Sequence, residues 1–344
     1  MKTLAGLSLL LVILLVSLSA YLRLAHSGIG CLDWPDCYGR IGVPEVSAEL
    51  DSVPGQMARD AYQRITAESG QAMAWATPLH RGVASLLGIF ILFLTVLAFY
   101  QHRHRLLSLA LLGLTVWLAM LGLRSGSLHD PAVVMGNLSG GFAMLGLLGW
   151  LWFSLTAEPP VRFDAHSSKA PLPRALLVTT LLALCLQILL GGLTSANFAA
   201  NACKTLPDCH GAWLPGPYLA EAMDLSRHHE VTTEGQAVGG EERIAIHRAH
   251  RLMAVISSVL VLLVAQLSMR RAGSSRRTGM LLLLLIVAEF SVGVASVMNE
   301  LPIALAVAHN WLAGLLFLVL IRLIFLRVSP ADKAVWQSAA AHRR

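Results

Sequence analysis

Long apolar runs alternate with short polar connections along this chain. The runs fall at roughly 3–22, 80–100, 106–123, 132–153, 173–193, 245–268, 279–298 and 301–326. Each approaches or exceeds the ~20 apolar residues that a helix needs to cross a ~30 Å hydrocarbon layer. Inside lipid every backbone polar group must be paired within the chain, which favours helices over open strands. The pattern predicts an all-α polytopic membrane protein with about eight transmembrane helices. Lys2 ahead of the first run is also what a cleaved signal presents. That run is long for a signal, and Ser17-Leu18-Ser19-Ala20-Tyr21-Leu22-Arg23 is a poor cleavage context, so it is expected to stay as a helix.

Composition agrees with the pattern. The 344 residues are 56% hydrophobic and 13% charged, about half the charge of a soluble protein. The net charge of +6 does not point to nucleic acid, because the cations sit in short connections. Arg103 and Arg105 share one, Arg162, Lys169 and Arg174 a second, and Arg270, Arg271, Arg276 and Arg277 a third. With Lys2 and the tail cations Arg327, Lys333, Arg343 and Arg344, eight crossings put all of them on one side. Both termini are then cytoplasmic, and the long connections at about 23–79 and 194–244 face outward.

The chain repeats itself. Cys31-Leu-Asp-Trp-Pro-Asp-Cys37 returns as Cys203-Lys-Thr-Leu-Pro-Asp-Cys209, displaced by 172 positions at both cysteines (203 − 31 and 209 − 37). His80-Arg81 returns as His247-Arg248, displaced by 167, and Asn137 matches His309 at 172. Two four-helix halves follow, at 1–153 and 173–344, joined by a cytoplasmic linker at 154–172. An even number of crossings per half makes the repeats parallel and the two bundles pseudo-symmetric.

The second half carries the chemistry. His309 lies about eight residues into the last run, roughly 12 Å deep at 1.5 Å per residue. A titratable ring in hydrocarbon is a functional-site candidate. His247 begins the sixth run, and two histidines on helices of one direction can face each other across a bundle core. Two neutral imidazoles suit a haem iron, and Arg243, Arg248 and Arg251 stand where propionates need cations. A structural role for His309 within the bundle is the other reading. His250, one turn beyond His247, is expected to face a neighbouring helix or a propionate. Paired cysteines in outward loops favour disulfides, Cys31–Cys37 and Cys203–Cys209. Free or redox-cycling thiols are a second reading and a metal site a third. Gly140-Gly141 and Gly191-Gly192 are expected at close helix contacts.

At this point a resemblance becomes specific. The run Arg23-Leu-Ala-His-Ser-Gly-Ile-Gly-Cys-Leu-Asp-Trp-Pro-Asp-Cys-Tyr-Gly resembles the first-loop signature of the haem A synthase family. So do His80-Arg81, Gln187-Ile-Leu-Leu-Gly-Gly-Leu-Thr-Ser-Ala, the second cysteine loop, His247-Arg248 and His309. The resemblance implies a bis-His haem b in the second half, on His247 and His309 with Arg248 and Arg251 beside it. It implies haem O as substrate in the first half, with His80 facing its iron and Cys31–Cys37 as a functional disulfide that passes electrons. A methyl group of haem O is then oxidised to a formyl group, giving haem A for cytochrome oxidase. The expected setting is a bacterial-type cytoplasmic membrane. Expected partners are the lipid bilayer, haem, haem O synthase and cytochrome oxidase assembly factors, with a homo-oligomer as a further possibility and no nucleic acid.

The chain departs from that family in its first half. Asn137 stands where the family has a second histidine, and Thr77 where it has a glutamate three residues before the first. His26 and His129 are the nearby candidates to substitute. A non-catalytic haem-binding protein of oxidase assembly is therefore the rival reading. A secondary transporter is a third, disfavoured because Glu289 alone lies deep in a crossing.

Overall fold

The computed structural model describes residues 1–26, 75–124, 131–157, 172–226 and 240–328. Among these, eight long helices account for the eight runs: α1 (Lys2–His26), α2 (Ala76–Tyr100), α3 (Arg105–Arg124), α4 (Pro131–Thr156), α5 (Arg174–Ala196), α6 (Glu241–Met269), α7 (Gly273–Met298) and α8 (Ile303–Val328). All eight contain a stretch long and apolar enough to cross a membrane. The protein is a multi-pass, all-α membrane protein. Glu241 and Glu242 form the first turn of α6, which starts four residues before its apolar run and sets His247 deeper into the helix. Acidic residues there meet the positive end of the helix dipole.

The helices show why an apolar solvent suits them. Leu10, Leu182 and Leu284 point outward with about two thirds of their surface open. Leu94, Leu148, Leu282 and Leu320 are fully enclosed by neighbouring helices. Hydroxyl groups within the spans bond back to their own helix: Ser8 donates to the Leu4 carbonyl, Thr95 to Ile91, Thr180 to Leu176 and Ser268 to Val264. Such back-bonding satisfies the hydroxyl without a partner from outside the helix.

Helix pairings follow the same circuit in each half. In the first, α1 packs on α2 and α4, and α3 packs on α2 and α4. In the second, α5 packs on α6 and α8, and α7 packs on α6 and α8. The halves meet where α8 packs on α1 and α4, and where α4 packs on α5. Gly192 makes the last approach possible. A Cβ there would lie 2.3 Å from Leu138 and 2.9 Å from the Met135 sulfur. Gly140 does the same at α3, where a Cβ would meet Leu118 at 2.5 Å.

After α5, residues 197–226 form a cap at one end of the second half. The disulfide Cys203–Cys209 pins it, with a Cα–Cα distance of 5.1 Å. A short helical turn, Leu219–Ala222, packs on α6. Asn197, buried at the end of α5, donates from Nδ2 to the Ala222 carbonyl at 2.9 Å. At the other end of the bundle, Arg327 donates from Nε to the Leu172 carbonyl at 3.1 Å, joining the end of α8 to the start of α5.

Candidate functional site

The second half encloses a cavity of about 550 Å³ among α5, α6, α7 and α8, with Arg23 and Leu24 of α1 and Leu138 of α4 on its wall. Cofactor pockets have this size and this character, mostly apolar with a few convergent polar groups. Here the polar groups are chiefly His247, His250, His309, Gln187, Glu289 and Arg251.

His309 of α8 and His250 of α6 face each other, ring centres 6.4 Å apart and planes at 90°. Each is held from behind by a different helix. Nδ1 of His250 lies 3.1 Å from the side-chain amide of Gln187 on α5. Nδ1 of His309 lies 3.3 Å from Oε1 of Glu289 on α7. Glycine backs both rings, since a Cβ on Gly191 would sit 3.0 Å from Cε1 of His250, and one on Gly293 would sit 3.1 Å from Cε1 of His309. Oε1 of Gln187, Oε2 of Glu289 and Nδ1 of His309 are buried and make no hydrogen bond. Orphaned atoms of this kind call for an explanation, and they cluster around one pair of rings.

His247 lines the same cavity one turn nearer the cap. It is buried, and its Nδ1 donates to the Ala199 carbonyl at 2.9 Å. The spacing rule that pairs His247 with His309 did not anticipate the ring contact of His250. The arginines expected beside a cofactor hold the cap. Arg248 donates to the Cys209 carbonyl from Nε and Nη2, at 3.1 and 2.8 Å. Arg251 reaches the carbonyls of Cys203, Thr205 and Asp208 at 2.6, 2.6 and 2.8 Å. Arg243 donates to the Phe198 carbonyl. These bonds fix the disulfide loop against the cavity, where Leu206 and Pro207 join its wall, a role that sequence spacing alone did not reveal.

Comparison with known proteins settles the lineage. Residues 2–321 match the family described as Cytochrome oxidase assembly protein. This chain belongs to that family. It is 32% identical to a Heme A synthase of Shewanella oneidensis over 91% of this chain and 92% of the relative. A Heme A synthase of Granulibacter bethesdensis is 23% identical over 96% of this chain and 88% of its own. One of Paracoccus denitrificans is 24% identical over 90% and 82%.

In this member of the cytochrome oxidase assembly family, the first half is more sparsely described. His80 lies in the first turns of α2 and Asn137 in the first turns of α4, both half-buried. The expectations for Cys31, Cys37 and His129 lie outside the described residues, as do the side chains of His26 and Thr77. The halves touch at the site itself, where Arg23 of α1 donates from Nη2 to Oδ1 of Asn310, the neighbour of His309, at 3.3 Å.

Proposed function

We propose that this protein is a haem A synthase, oxidising a methyl group of haem O to the formyl group of haem A in cytochrome oxidase biogenesis, with a resident haem b in its second half. The observation that carries the cofactor is the 6.4 Å separation of the His250 and His309 ring centres. A metal–nitrogen bond of about 2 Å on each side, with each ring centre about 1 Å behind its nitrogen, brings two imidazoles on one metal to roughly 6 Å. Among the described residues no group of three or more His, Cys, Asp or Glu forms a cage for a bare metal ion. Two imidazoles in an apolar cavity fit a planar macrocycle better than a small hydrated cation.

Bound there, a haem supplies one-electron transfer. The chain's own residues do the rest. His250 and His309 would hold the iron, in place of the His247–His309 pair that spacing suggests. His247 ties the head of α6 to the Ala199 carbonyl, and Arg248 and Arg251 keep the cap closed against water. Exclusion of water is what lets fixed dipoles act strongly on a buried charge. In the first half, His80 faces the substrate. Asn137, in the first turns of α4, offers an amide where the family has a second imidazole. Cys31 and Cys37, outside the described residues, take the electron-passing role that the family resemblance implies. The halves 1–153 and 173–344 thus divide substrate from relay, in a cytoplasmic membrane with both termini inside.

The test is extraction of pigments after expression in a strain that makes haem O but lacks haem A. Haem A or its hydroxylated intermediate beside haem b is the expected result. Asn137 favours the second reading, a non-catalytic haem-binding assembly protein. Haem b alone, with no restored oxidase, would establish that reading instead.

A further inference from the structure

The two facing imidazoles sit in matched surroundings built by different helices. Gln187 and Gly191 lie four residues apart on α5, and Glu289 and Gly293 lie four apart on α7. The displacement from one helix to the other is 102 positions for both members (289 − 187 and 293 − 191). Residues four apart share one helix face. At each station the glycine leaves the Cε1 edge of the ring against bare backbone, and the polar side chain one turn earlier reaches Nδ1. The stations differ in chemistry: an amide hydrogen-bonds His250 at 3.1 Å, and a carboxyl approaches His309 at 3.3 Å.

We infer that Gln187 and Glu289 are positioning residues that turn Nε2 of each imidazole into the cavity, and that the carboxyl of Glu289 sets a low potential for the cofactor held there. This rests on the bis-imidazole haem reading above. An imidazole bound to metal through Nε2 carries its proton on Nδ1 and needs an acceptor behind it. Oε1 of Glu289 is that acceptor for His309. A half-turn of the Gln187 amide presents Oε1 to His250, since its two ends differ only in donor and acceptor character. The arrangement gives partners to two of the buried atoms that lack them, Oε1 of Gln187 and Nδ1 of His309.

The chemical difference then has a direction. A ferric haem with two neutral imidazoles carries one net positive charge that the ferrous form lacks. A carboxylate behind one ring stabilises the oxidised form and makes that imidazole the stronger donor, while an amide does so weakly. The two imidazoles would therefore be unequal donors to a bound haem, with His309 the more basic.

The experiment is an equilibrium redox titration of the purified holoprotein, followed at the visible band of reduced haem b. Glu289→Gln should retain haem and raise the midpoint, changing the oxidised-to-reduced ratio roughly tenfold, about 59 mV for one electron. Gln187→Glu should lower it by a similar factor, and the exchanged double variant should return close to the native value. If one single variant does not fold, the other reads the same quantity in the opposite direction. Unchanged midpoints in variants that keep their haem would overturn the inference. So would loss of haem from both, because each group already supports an imidazole in the native protein. Native protein purified without any b-type haem would instead remove the reading on which the inference stands.

Discussion

At the scale of single residues, the account turns on how closely two rings are seated. Gly191 and Gly293 contribute by having no side chain. A valine at either adds atoms where even a Cβ would stand 3.0 or 3.1 Å from an imidazole carbon. The ring must then leave its place. Gly293→Val is expected to lower haem occupancy at least tenfold, the usual scale for disturbing the support behind a metal ligand. The haem-to-protein ratio of the purified variant checks this. Arg251→Ala should act differently, because it removes the donor to the Cys203 and Thr205 carbonyls and leaves that of Asp208 with the Thr205 hydroxyl alone. A buried group left unpaired costs about 1–3 kcal/mol. Faster proteolysis within 203–209 and a lower melting temperature in detergent are the expected result, with reduced haem retention as a consequence. The sequence disclosed His309 as a lone ring in an apolar run. It did not disclose which of His247 and His250 would face it. They are three residues apart on one helix, so a small difference in helix rotation decides between them, and periodicity does not carry that precision.

Helices pack here through small residues, and the seam between the halves depends on one of them. Gly192 of α5 lets Leu138 and Met135 of α4 lie against the α5 backbone. Gly192→Ala forces those side chains aside and should cost about 1–3 kcal/mol, as overfilled contacts do. Gly82, on α2 with no described residue within 4 Å of a Cβ, is the control. Gly82→Ala should be neutral or slightly stabilising, because alanine is the better helix former. Melting curves of the two variants in one detergent check the contrast. The helices themselves were legible, since length and hydropathy of each run are local properties. Their pairings were legible only in outline, through the repeated cysteine loops and His-Arg steps. The alignment of Gln187 with His250, and of Glu289 with His309, depends on the register between separate helices. Nothing in either helix alone encodes it, although Glu289 announces itself as a carboxyl too deep in hydrocarbon to be incidental.

For the whole molecule, the arginine-rich connections and the disulfide cap lie at opposite ends of the bundle. Arg103, Arg105, Arg270 and Arg271 adjoin one end, and Cys203–Cys209 closes the other. The positive-inside rule then predicts that the cap faces the outside of the cell membrane. In intact spheroplasts a membrane-impermeant maleimide should label Cys203 and Cys209 only after reduction. Reporter fusions at the C-terminus should read as cytoplasmic. The distribution of charge carries this orientation as an expectation, and these two measurements check it. The sharing of the cavity wall between halves was not legible in the sequence, because Arg23 of α1 reaches Asn310 across 287 positions of chain.

The central claim is that His250 and His309 clasp one haem between them. Dithionite-reduced minus oxidised spectra of His250→Ala, His309→Ala and His247→Ala, taken on equal amounts of purified protein, test it most directly. The account predicts that the first two lose the low-spin b-type signal and that His247→Ala keeps it, with at most reduced stability. A signal that survives His250→Ala and disappears in His247→Ala would contradict it.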